Sequence, residues 1–392
     1  MHVLLLTHEF PPYVIGGVGT FCADLADALG KSGIDVTVVT GSPARPLRTD
    51  RRGRVNVVRV PRIDIPPNYL WFQLMNHNAL KKILHNVDIV HGQDTSSFPT
   101  IYLARRNGRR IPWVVTVHTC PVSHMKYTAH SMRHGGSMYE FVSCVIGFPI
   151  WDTILRGNMN FADAIIPVSK CLSKDLRESK YITNSRLLTI HNGVNIQRLI
   201  ETAERGASPP VSNKIRMFWS GRYVWVKGIL QLLESLQILR QRFRFDNFEL
   251  NMFGRGPLER TICQLVSRLG LEQNVRLRGF VAHNELLVWL ASSDLVCFPS
   301  LSECLPMALI EAMALGKPIV AFDKPFARET MGDVGSPFAR SIEHFATNLY
   351  RLCIDEGLRK RVGRALQQRA RTEFDINIIA RKYAKLYSDL VN

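Results

Sequence analysis

Residues 294–323 read DLVCFPSLSECLPMALIEAMALGKPIVAFD and predict a strand, a helix and a second strand. Pro306 suits the first position of a helix and Gly316 suits the position just past its end, so a helix is predicted over about 306–315. The flanking apolar runs, 294–300 and 318–323, have the length and composition of buried strands. Such a unit is typical of a parallel α/β sheet.

The start of this helix is a candidate anion site. It follows the carboxyl end of a strand, where free N–H groups and a partial positive charge favour a phosphate. Glu303 precedes the helix and Glu311 lies inside it. Because carboxylates only accept hydrogen bonds, the pair suits a ligand with both phosphate and hydroxyls, such as a sugar nucleotide. An ordinary βα unit with a capping and a surface glutamate is the alternative.

A second turn carries two cations. Residues 217–230 read MFWSGRYVWVKGIL and predict a strand, a glycine turn and a helix. Arg222 and Lys227 fall in the turn and at the helix entrance. Cations oppose the dipole at a helix start, which indicates another purpose such as binding a diphosphate. Two solvated surface cations are the alternative here.

The same alternation of strands and helices runs through the whole chain of 392 residues. Continuous Val, Ile and Leu strands between amphipathic helices predict an α/β fold with two parallel-sheet domains covered on both faces. We predict an N-terminal domain over 1–200, a linker over 201–214, rich in Pro, Ser and Ala, and a C-terminal domain over 215–374. A last amphipathic helix is predicted over 375–392. Strands of the first domain are predicted at 2–8, 35–41, 55–60, 88–92, 112–118 and 163–169, with a helix at 20–31.

The ordered set of motifs resembles the retaining glycosyltransferases of family 4, which have the GT-B fold. The segments that carry the resemblance are MHVLLLTHEFPPYVIGGVGTF (1–21), VVTVHT (114–119), VSK (168–170), TIHNGVN (189–195), SGRYVWVKGI (220–229), FGRGP (253–257), VRLRGFV (275–281) and Glu303-x7-Glu311. The resemblance implies two Rossmann-like domains facing across a cleft, with the last helix packing back on the N-terminal domain.

The resemblance also implies roles for individual residues. Arg222, Lys227 and the N–H groups at 305–308 would stabilise a departing diphosphate. Glu303 and His118 would contact the donor sugar, and Glu311 would bind the nucleotide ribose. The remaining predicted donor contacts are Gly16, Gly17, Gly254, Gly279, Phe280, Val281, Leu305, Pro306, Met307 and Ala308, of which 279–281 would edge the base. Arg255 could reach a phosphate or the base, and Glu329 fits the family's pattern.

The predicted activity is transfer of a hexosyl unit from a nucleotide diphosphate sugar to an acceptor hydroxyl, with retention of the anomeric configuration. The resemblance implies no dedicated general base, no cofactor and no metal. Cys304 stands where such motifs commonly have glycine, and 322–339 is shorter than usual, so the donor sugar stays open. Two alternatives also stay open: a sugar-nucleotide epimerase on the same fold, and a non-enzymatic basic protein that binds membranes or polymers.

Charge is the second strong signal. The formal net charge is +17, and residues 45–133 hold 15 Lys and Arg against 4 Asp and Glu. Clusters occur at 48–54 and 104–110. A solvated basic surface is one interpretation, and attraction to an anionic surface is the other. No nucleic-acid module or aromatic ladder accompanies the basic residues, so we predict an anionic membrane rather than nucleic acid as a partner, with a glycan or lipid-linked acceptor.

Residues 141–151, FVSCVIGFPIW, are apolar and uncharged. They predict a groove for a lipid tail, a docking edge or a buried helix. Nearby histidines at 118, 124, 130 and 134, with Cys120, match no zinc spacing, so no metal site is predicted. The cysteines lack paired spacing, no apolar run reaches the length of a membrane span, and Met1 leads directly into a strand. These features predict reduced, buried thiols in a cytoplasmic protein.

Overall fold

Hydrophobic strands pair in parallel in both halves of the protein. The structure is a computed structural model. It describes residues 1–14, 16–42, 48–61, 80, 83–98, 100–106, 108, 110–132, 138–181, 186–207, 209–210, 212–335 and 337–392. The chain divides into unit 1, which comprises Met1–Lys126, Val142–Gly193 and Ile376–Asn392, and unit 2, which comprises Tyr127–Phe141 and Val194–Asp375.

The elements follow the predicted alternation. The strands are β1 (His2–Thr7), β2 (Asp35–Ser42), β3 (Arg48–Arg52), β4 (Val55–Pro61), β5 (Ile89–Gln93), β6 (Trp113–Val117), β7 (Ala164–Pro167), β8 (Arg186–Leu187), β9 (Ile215–Ser220), β10 (Phe248–Phe253), β11 (Val275–Gly279), β12 (Leu295–Phe298), β13 (Ile319–Phe322) and β14 (Phe338–Ala339). The helices are α1 (Gly17–Lys31), α2 (Thr100–Arg106), α3 (Pro121–Ser131), α4 (Met138–Phe161), α5 (Lys170–Glu178), α6 (Ile196–Arg205), α7 (Ile229–Gln241), α8 (Glu259–Arg268), α9 (His283–Ala291), α10 (Met307–Ala314), α11 (Pro325–Met331), α12 (Ile342–Ile354), α13 (Glu356–Glu373) and α14 (Ile376–Val391).

Unit 1 contains, among its described residues, an eight-stranded sheet in the order β3-β4-β2-β1-β5-β6-β7-β8. The central strand β1 is buried on both faces, since Val3 to Leu6 are at most 1% exposed. Continuous apolar strands of this kind are expected where helices cover both faces. The pairs β1–β2 and β1–β5 are parallel, with Val3 opposite Val36 and Ile89. The parallel α/β prediction is therefore confirmed for this half.

The edge strand β3 was not predicted. It forms from the basic cluster at 48–54 and pairs antiparallel with β4. Its Asp50 accepts from Arg59 at 3.3 Å, and Arg54 donates to Asp35 at 2.9 Å. A run of arginines lacks the apolar alternation that identifies a half-buried strand, and charged residues are common at sheet edges.

The C-terminal helix α14 belongs to unit 1. Its Tyr383 and Tyr387 are fully buried. The Tyr387 hydroxyl lies 2.7 Å from Nδ1 of His91, on strand β5. The last segment of the chain thus packs into the core of the unit that its first segment begins.

Unit 2 contains, in the part of the chain described, a six-stranded sheet in the order β11-β10-β9-β12-β13-β14. Its pairs are parallel, and Val296 of β12 lies opposite Ile319 of β13. Helix α10 lies between these strands and agrees with the predicted helix to within one residue at each end. Gly316, just beyond it, has φ +68°, a backbone conformation that favours glycine. The second parallel sheet confirms the two-domain α/β prediction.

The predicted linker differs from the structure at its start. Residues 201–205 are the last residues of α6, and the boundary between the units falls between Gly193 and Val194. The Asn195 side chain caps α6 by accepting from the Arg198 N–H at 3.0 Å. Leu199 is 3% exposed, so an apolar face holds the helix to unit 2. The polar composition at 201–205 reflects the exposed end of this helix rather than a linker.

The apolar run 141–151 lies within helix α4. The prediction of a simply buried helix is wrong, because one face is exposed. Val142, Val145, Ile146 and Ile150 are exposed by 43, 44, 69 and 40%, respectively. Within the described residues no helix is long and apolar enough to cross a bilayer.

The predictions for the basic clusters and for the scattered cysteines are only partly met. Arg105, expected on a basic face, is paired instead: it contacts Asp163 and donates to the Phe161 carbonyl at 2.6 Å, with its side chain 24% exposed. Arg109 and His134 lie outside the described residues. All eight cysteines are free, but Cys263 is exposed rather than buried. No group of three His, Cys, Asp or Glu side chains suited to a metal occurs among the described residues.

Candidate active site

The carboxyl ends of strands β9, β10 and β11 form one interlocked set of turns in unit 2. The Gly221 N–H donates to the Phe253 carbonyl at 3.0 Å, and the Gly254 N–H donates to the Gly279 carbonyl at 2.8 Å. The Tyr223 N–H donates to the Arg255 carbonyl at 2.9 Å. These bonds place the predicted Arg222, Gly254 and Gly279 at the same edge of the sheet. Ligands of open α/β sheets bind at this edge.

Two glycines allow the turns to approach each other. Gly254 has φ +138°, and a Cβ there would lie 1.9 Å from the Gly221 carbonyl oxygen. Gly228 has φ +66°, and a Cβ there would lie 1.9 Å from the Pro299 carbonyl oxygen. A side chain at either position would therefore force the backbones apart. The Gly228 contact joins the turn that carries Lys227 to the loop that carries Glu303.

Lys227 and Glu303 form an ion pair across this junction. Lys227 ends a 3-10 turn, Trp225–Lys227, and its Nζ lies 2.6 Å from Glu303 Oε1. The side chains are 26% and 16% exposed. A partly buried pair is screened less than a surface pair. The basic and acidic residues singled out from two separate motifs therefore meet at one point.

The N-terminus of α10 follows Glu303 by a few residues. Pro306 is its N-cap, and no described side chain caps it. The predicted contacts Leu305, Pro306, Met307 and Ala308 form this helix start. Its first N–H groups keep the partial positive charge that suits a phosphate oxygen.

Glu311 lies inside α10 and has a partner that was not predicted. Its Oε1 lies 2.9 Å from Nε2 of His283, the first residue of α9, and the two side chains are 12% and 42% exposed. Just before α9, Gly279 has φ +72° and Phe280 is 76% exposed. Val281 is partly buried. The predicted base-edging residues thus adjoin the helix whose histidine contacts the predicted ribose-binding carboxylate.

The glycine loop of unit 1 contains an anion of its own. The Gly16 N–H donates to Glu9 Oε2 at 2.9 Å, at the N-cap of α1, and Gly17 is the first residue of that helix. A Cβ on Gly19 would lie 3.1 Å from Glu9 Cγ, so the loop closes around this side chain. A carboxylate therefore accepts from the N–H of Gly16, one of the two glycines of unit 1 that were predicted to contact the donor.

His118 follows β6 in unit 1 and is 7% exposed. Its Nε2 lies 2.8 Å from Gln93 Oε1, and its Nδ1 lies 3.3 Å from Asn192 Nδ2. Its backbone N–H donates to Asp94 Oδ1 at 2.8 Å. Burial lowers the pKa of His118 to about 3, which makes the ring neutral.

Asp94 was not predicted, although it directly follows strand β5. It has φ +47°, an uncommon conformation for a residue other than glycine. Burial raises the pKa of its carboxyl to about 7, against the effect of the His118 and Thr119 N–H groups that donate to it. Polar residues just past an apolar strand, here Gln93 and Asp94, were the sequence signal that could have drawn attention to it.

The predicted site residues fall into two groups. Gly16, Gly17 and His118 lie in unit 1, and the others lie in unit 2. Within unit 2 the structure brings Arg222, Lys227, Glu303, Glu311 and the α10 start to the carboxyl ends of neighbouring strands. Cations, a helix start and carboxylates together can bind a phosphorylated ligand that also carries hydroxyls.

Two family models match successive parts of the chain. Residues 15–198 match Glycosyltransferase Family 4, and residues 201–369 match Glycosyl transferases group 1. The chain is a family-4-like GT-B glycosyltransferase. This confirms the resemblance and the enzyme class, and it sets aside the non-enzymatic alternative.

Curated relatives of this glycosyltransferase align over most of its length. An uncharacterized glycosyltransferase of Methanocaldococcus jannaschii is 26% identical over 82% of this chain and 80% of its own. Glycogen synthase of Mycobacterium tuberculosis is 24% identical over 99% and 94%. Alpha-monoglucosyldiacylglycerol synthase of Streptococcus pneumoniae is 21% identical over 85% and 74%.

Solved structures share the fold of the glycosyltransferase. Sucrose-phosphate synthase from Thermosynechococcus elongatus superposes with a TM-score of 0.78 at 20% identity, over 99% of this chain and 98% of that one. Anabaena HepE, in complex with UDP and glucose, gives 0.69 at 18% identity over 100% of both chains. At these identities the comparison supports the two-domain fold alone.

Proposed function

We propose that this glycosyltransferase moves a hexosyl unit from a nucleotide diphosphate sugar to an acceptor hydroxyl, with retention at the anomeric carbon. The observation that carries the proposal is the contact between Lys227 and Glu303 beside the start of α10. A cation, a helix start and a carboxylate at one sheet edge match a ligand with a diphosphate next to sugar hydroxyls. The UDP and glucose in Anabaena HepE are consistent with such a donor.

The diphosphate is the leaving group in this mechanism. Negative charge develops on it as the glycosidic bond breaks, and Arg222, Lys227 and the α10 N–H groups stabilise that charge. For Lys227 to reach the phosphate, its bond to Glu303 must be given up or shared. Glu303 then becomes able to accept from the donor-sugar hydroxyls and to stabilise the oxocarbenium-like centre.

Glu311 and the residues just before α9 hold the nucleotide in this proposal. Glu311 has one oxygen on His283, which leaves the other for the ribose hydroxyls. The exposed ring of Phe280 offers a face on which a base can stack. The acceptor hydroxyl attacks from the face that the diphosphate leaves, so that the diphosphate takes its proton. Arg222 and Lys227 supply the positive charge in this scheme, and no metal is invoked.

The test is direct. UDP-, GDP- and ADP-sugars are screened by thermal shift, and the donors that bind are incubated with glycan and lipid acceptors. We expect one nucleotide class to stabilise the protein and its sugar to be transferred, with NMR of the product giving the same anomeric configuration as the donor. An inverted product would contradict retention. Turnover of the sugar nucleotide to an isomer without acceptor would instead indicate an epimerase.

We further propose that the acceptor is lipid-linked or lies at the cytoplasmic surface of a membrane. The exposed residues Val142, Val145, Ile146 and Ile150 share one face of α4, following the spacing of neighbours on a helix. An apolar helix face exposed to water on this scale favours the lipid interface. Arg51 and Arg52 add exposed positive charge in the same unit. The lipid named in the pneumococcal relative is consistent with this acceptor class.

A further inference from the structure

A continuous chain of buried side chains crosses unit 1 from the C-terminal helix to His118. Tyr387 Oη lies 2.7 Å from His91 Nδ1, and His91 Nε2 lies 3.1 Å from the amide nitrogen of Gln93. The Gln93 amide oxygen lies 2.8 Å from His118 Nε2, whose Nδ1 lies 3.3 Å from Asn192 Nδ2. All five residues are at most 7% exposed, so these groups must satisfy one another.

The Gln93 amide decides where the protons of the two histidines lie. An amide accepts at its oxygen and donates at its nitrogen. Its oxygen faces His118 Nε2, which must carry a proton, and its nitrogen faces His91 Nε2, which must be bare. Turning the amide over would exchange these roles, so the two rings hold opposite tautomers in either orientation.

The partners of His91 agree with this assignment. With Nε2 bare, His91 carries its proton on Nδ1 and donates it to the Tyr387 oxygen. Thr116 Oγ1 lies 2.7 Å from His91 Nε2 and 2.8 Å from the Tyr383 hydroxyl. It can therefore donate to the ring and accept from Tyr383. Every contact of His91 has one donor and one acceptor without any charge on the ring.

We propose that Gln93 is a positioning residue for His118. It holds the ring neutral, with Nε2 protonated and Nδ1 bare, and it connects the ring to α14 through His91 and Tyr387. The inference rests on the proposed function and on the contact between His118 and the donor sugar that the family resemblance implies. The contact between Asn192 Nδ2 and His118 Nδ1, at 3.3 Å, is the longest of the four that link these five side chains. A sugar hydroxyl can therefore displace Asn192 and donate to Nδ1. His118 then acts as an acceptor and transfers no proton.

Burial lowers the pKa of both rings to about 3, in keeping with two neutral histidines. Among the described residues, the other titratable groups near this series of hydrogen-bonded side chains are Asp94, Glu9, Cys22, Tyr383 and Tyr387. Asp94, with a pKa raised by burial to about 7, contributes to any pH profile. Its contribution is common to the wild type and to Gln93→Met, so that comparison isolates the histidines. Gln93→Glu adds a carboxyl next to Asp94, so in that variant the ¹⁵N signals of His118 identify the group that titrates.

The tautomers can be read by ¹⁵N NMR of histidine-labelled protein, with signals assigned by His91→Gln and His118→Gln. In the wild type we expect neutral His118 protonated at Nε2 and neutral His91 protonated at Nδ1 from about pH 5.5 to 8. Gln93→Met, similar in length without an amide, should give mixed tautomers at His118. Gln93→Glu, which accepts only, should raise the pKa of His118 into the measured range.

Enzyme kinetics test the same change in the protonation of His118. In Gln93→Glu the KM for the donor should rise about tenfold from pH 8 to pH 6, beyond any change in the wild type, as His118 loses its acceptor. A charged or tautomerically mixed His118 in the wild type overturns the proposal, and that measurement needs no variant to fold. An unchanged His118 signal in both folded Gln93 variants also overturns it. Failure of the proposed function looks different: the NMR result holds, but no nucleotide sugar binds.

Discussion

Lys227 Nζ lies 2.6 Å from Glu303 Oε1, so the cation predicted to bind the diphosphate is paired with the carboxylate predicted to bind the sugar. Each neutralises the other in a partly buried position. Donor binding must exchange this pair for two new ones, phosphate on Lys227 and hydroxyls on Glu303. Neither residue can be changed without leaving the other without this partner, which ties their effects together.

Replacing Lys227 with alanine should therefore remove most turnover. Loss of a donor that stabilises transition-state charge costs roughly 3 kcal/mol, which is about a hundredfold in kcat. The matched control is Lys360→Ala, since Lys360 lies 2.6 Å from Glu356 in a pair whose side chains are 64% and 66% exposed. Single-turnover rates at saturating donor give the comparison, and equal rates in the two variants would remove Lys227 from the mechanism.

His283 should determine how well Glu311 distinguishes ribose. His283→Phe leaves the Glu311 carboxylate without its 2.9 Å partner and free to rotate. We expect a nucleoside diphosphate to bind about tenfold more weakly, while its 2′,3′-dideoxy analogue binds as before. Calorimetry on both ligands measures the difference. His344→Phe, at an exposed histidine of the same unit, is the control. An equal loss for both ligands would indicate a general structural effect instead.

Much of the fold and part of the site could be predicted from sequence. Strands and helices that alternate along the sequence, with Pro306 at the start of α10 and Gly316 just past its end, are local signals that tertiary packing did not override. The pairings of His283 with Glu311 and of Gln93 with His118 join residues 28 and 25 positions apart. No local pattern encodes such contacts, since they depend on which strand ends become neighbours. The contact between Arg105 and Asp163 was missed for the same reason.

The buried histidines should make stability fall in acid. Burial lowers the pKa of His91 and His118 from 6.5 to about 3, so below pH 6.5 the unfolded chain binds protons that the native chain does not. Asp94 acts in the opposite sense, because burial raises its pKa from 3.8 to about 7 and the native chain holds that proton as pH falls. On acidification the two histidines therefore lower the free energy of unfolding, and Asp94 raises it.

The net expectation from these three groups is a slope of about 1.4 kcal/mol per pH unit between about pH 4 and 6, with stability increasing with pH. His91→Gln removes one histidine and should flatten that contribution, whatever the variant costs in absolute stability. Urea unfolding at several pH values measures both slopes. A variant slope as steep as that of the wild type would show that His91 takes up its proton in the folded protein.

Transfer should survive removal of divalent metal ions. The charge that would stabilise the diphosphate comes from Arg222, Lys227 and the α10 N–H groups, which chelators do not affect. Activity is measured after EDTA treatment and after adding back Mg²⁺ or Mn²⁺. A strict metal requirement would contradict this scheme and direct attention to the histidines near Cys120.

The exposed face of α4 should bind anionic vesicles. Ile146, 69% exposed, can insert at a lipid interface, and each exposed arginine adds up to about 1 kcal/mol near anionic lipid. Ile146→Ser should weaken vesicle binding about tenfold. Ile354→Ser, at a residue 58% exposed in unit 2, should not weaken vesicle binding.

The exposed arginines of the same unit test the electrostatic part of vesicle binding. Arg51→Ser with Arg52→Ser should weaken binding further and reduce its salt dependence, whereas Arg105 is unsuitable because it contacts Asp163. Co-sedimentation with anionic and neutral vesicles at two salt concentrations measures these effects. If Ile146→Ser lowers self-association instead of vesicle binding, the face joins two copies of the chain. If neither changes, the acceptor does not bring the enzyme to a membrane through α4.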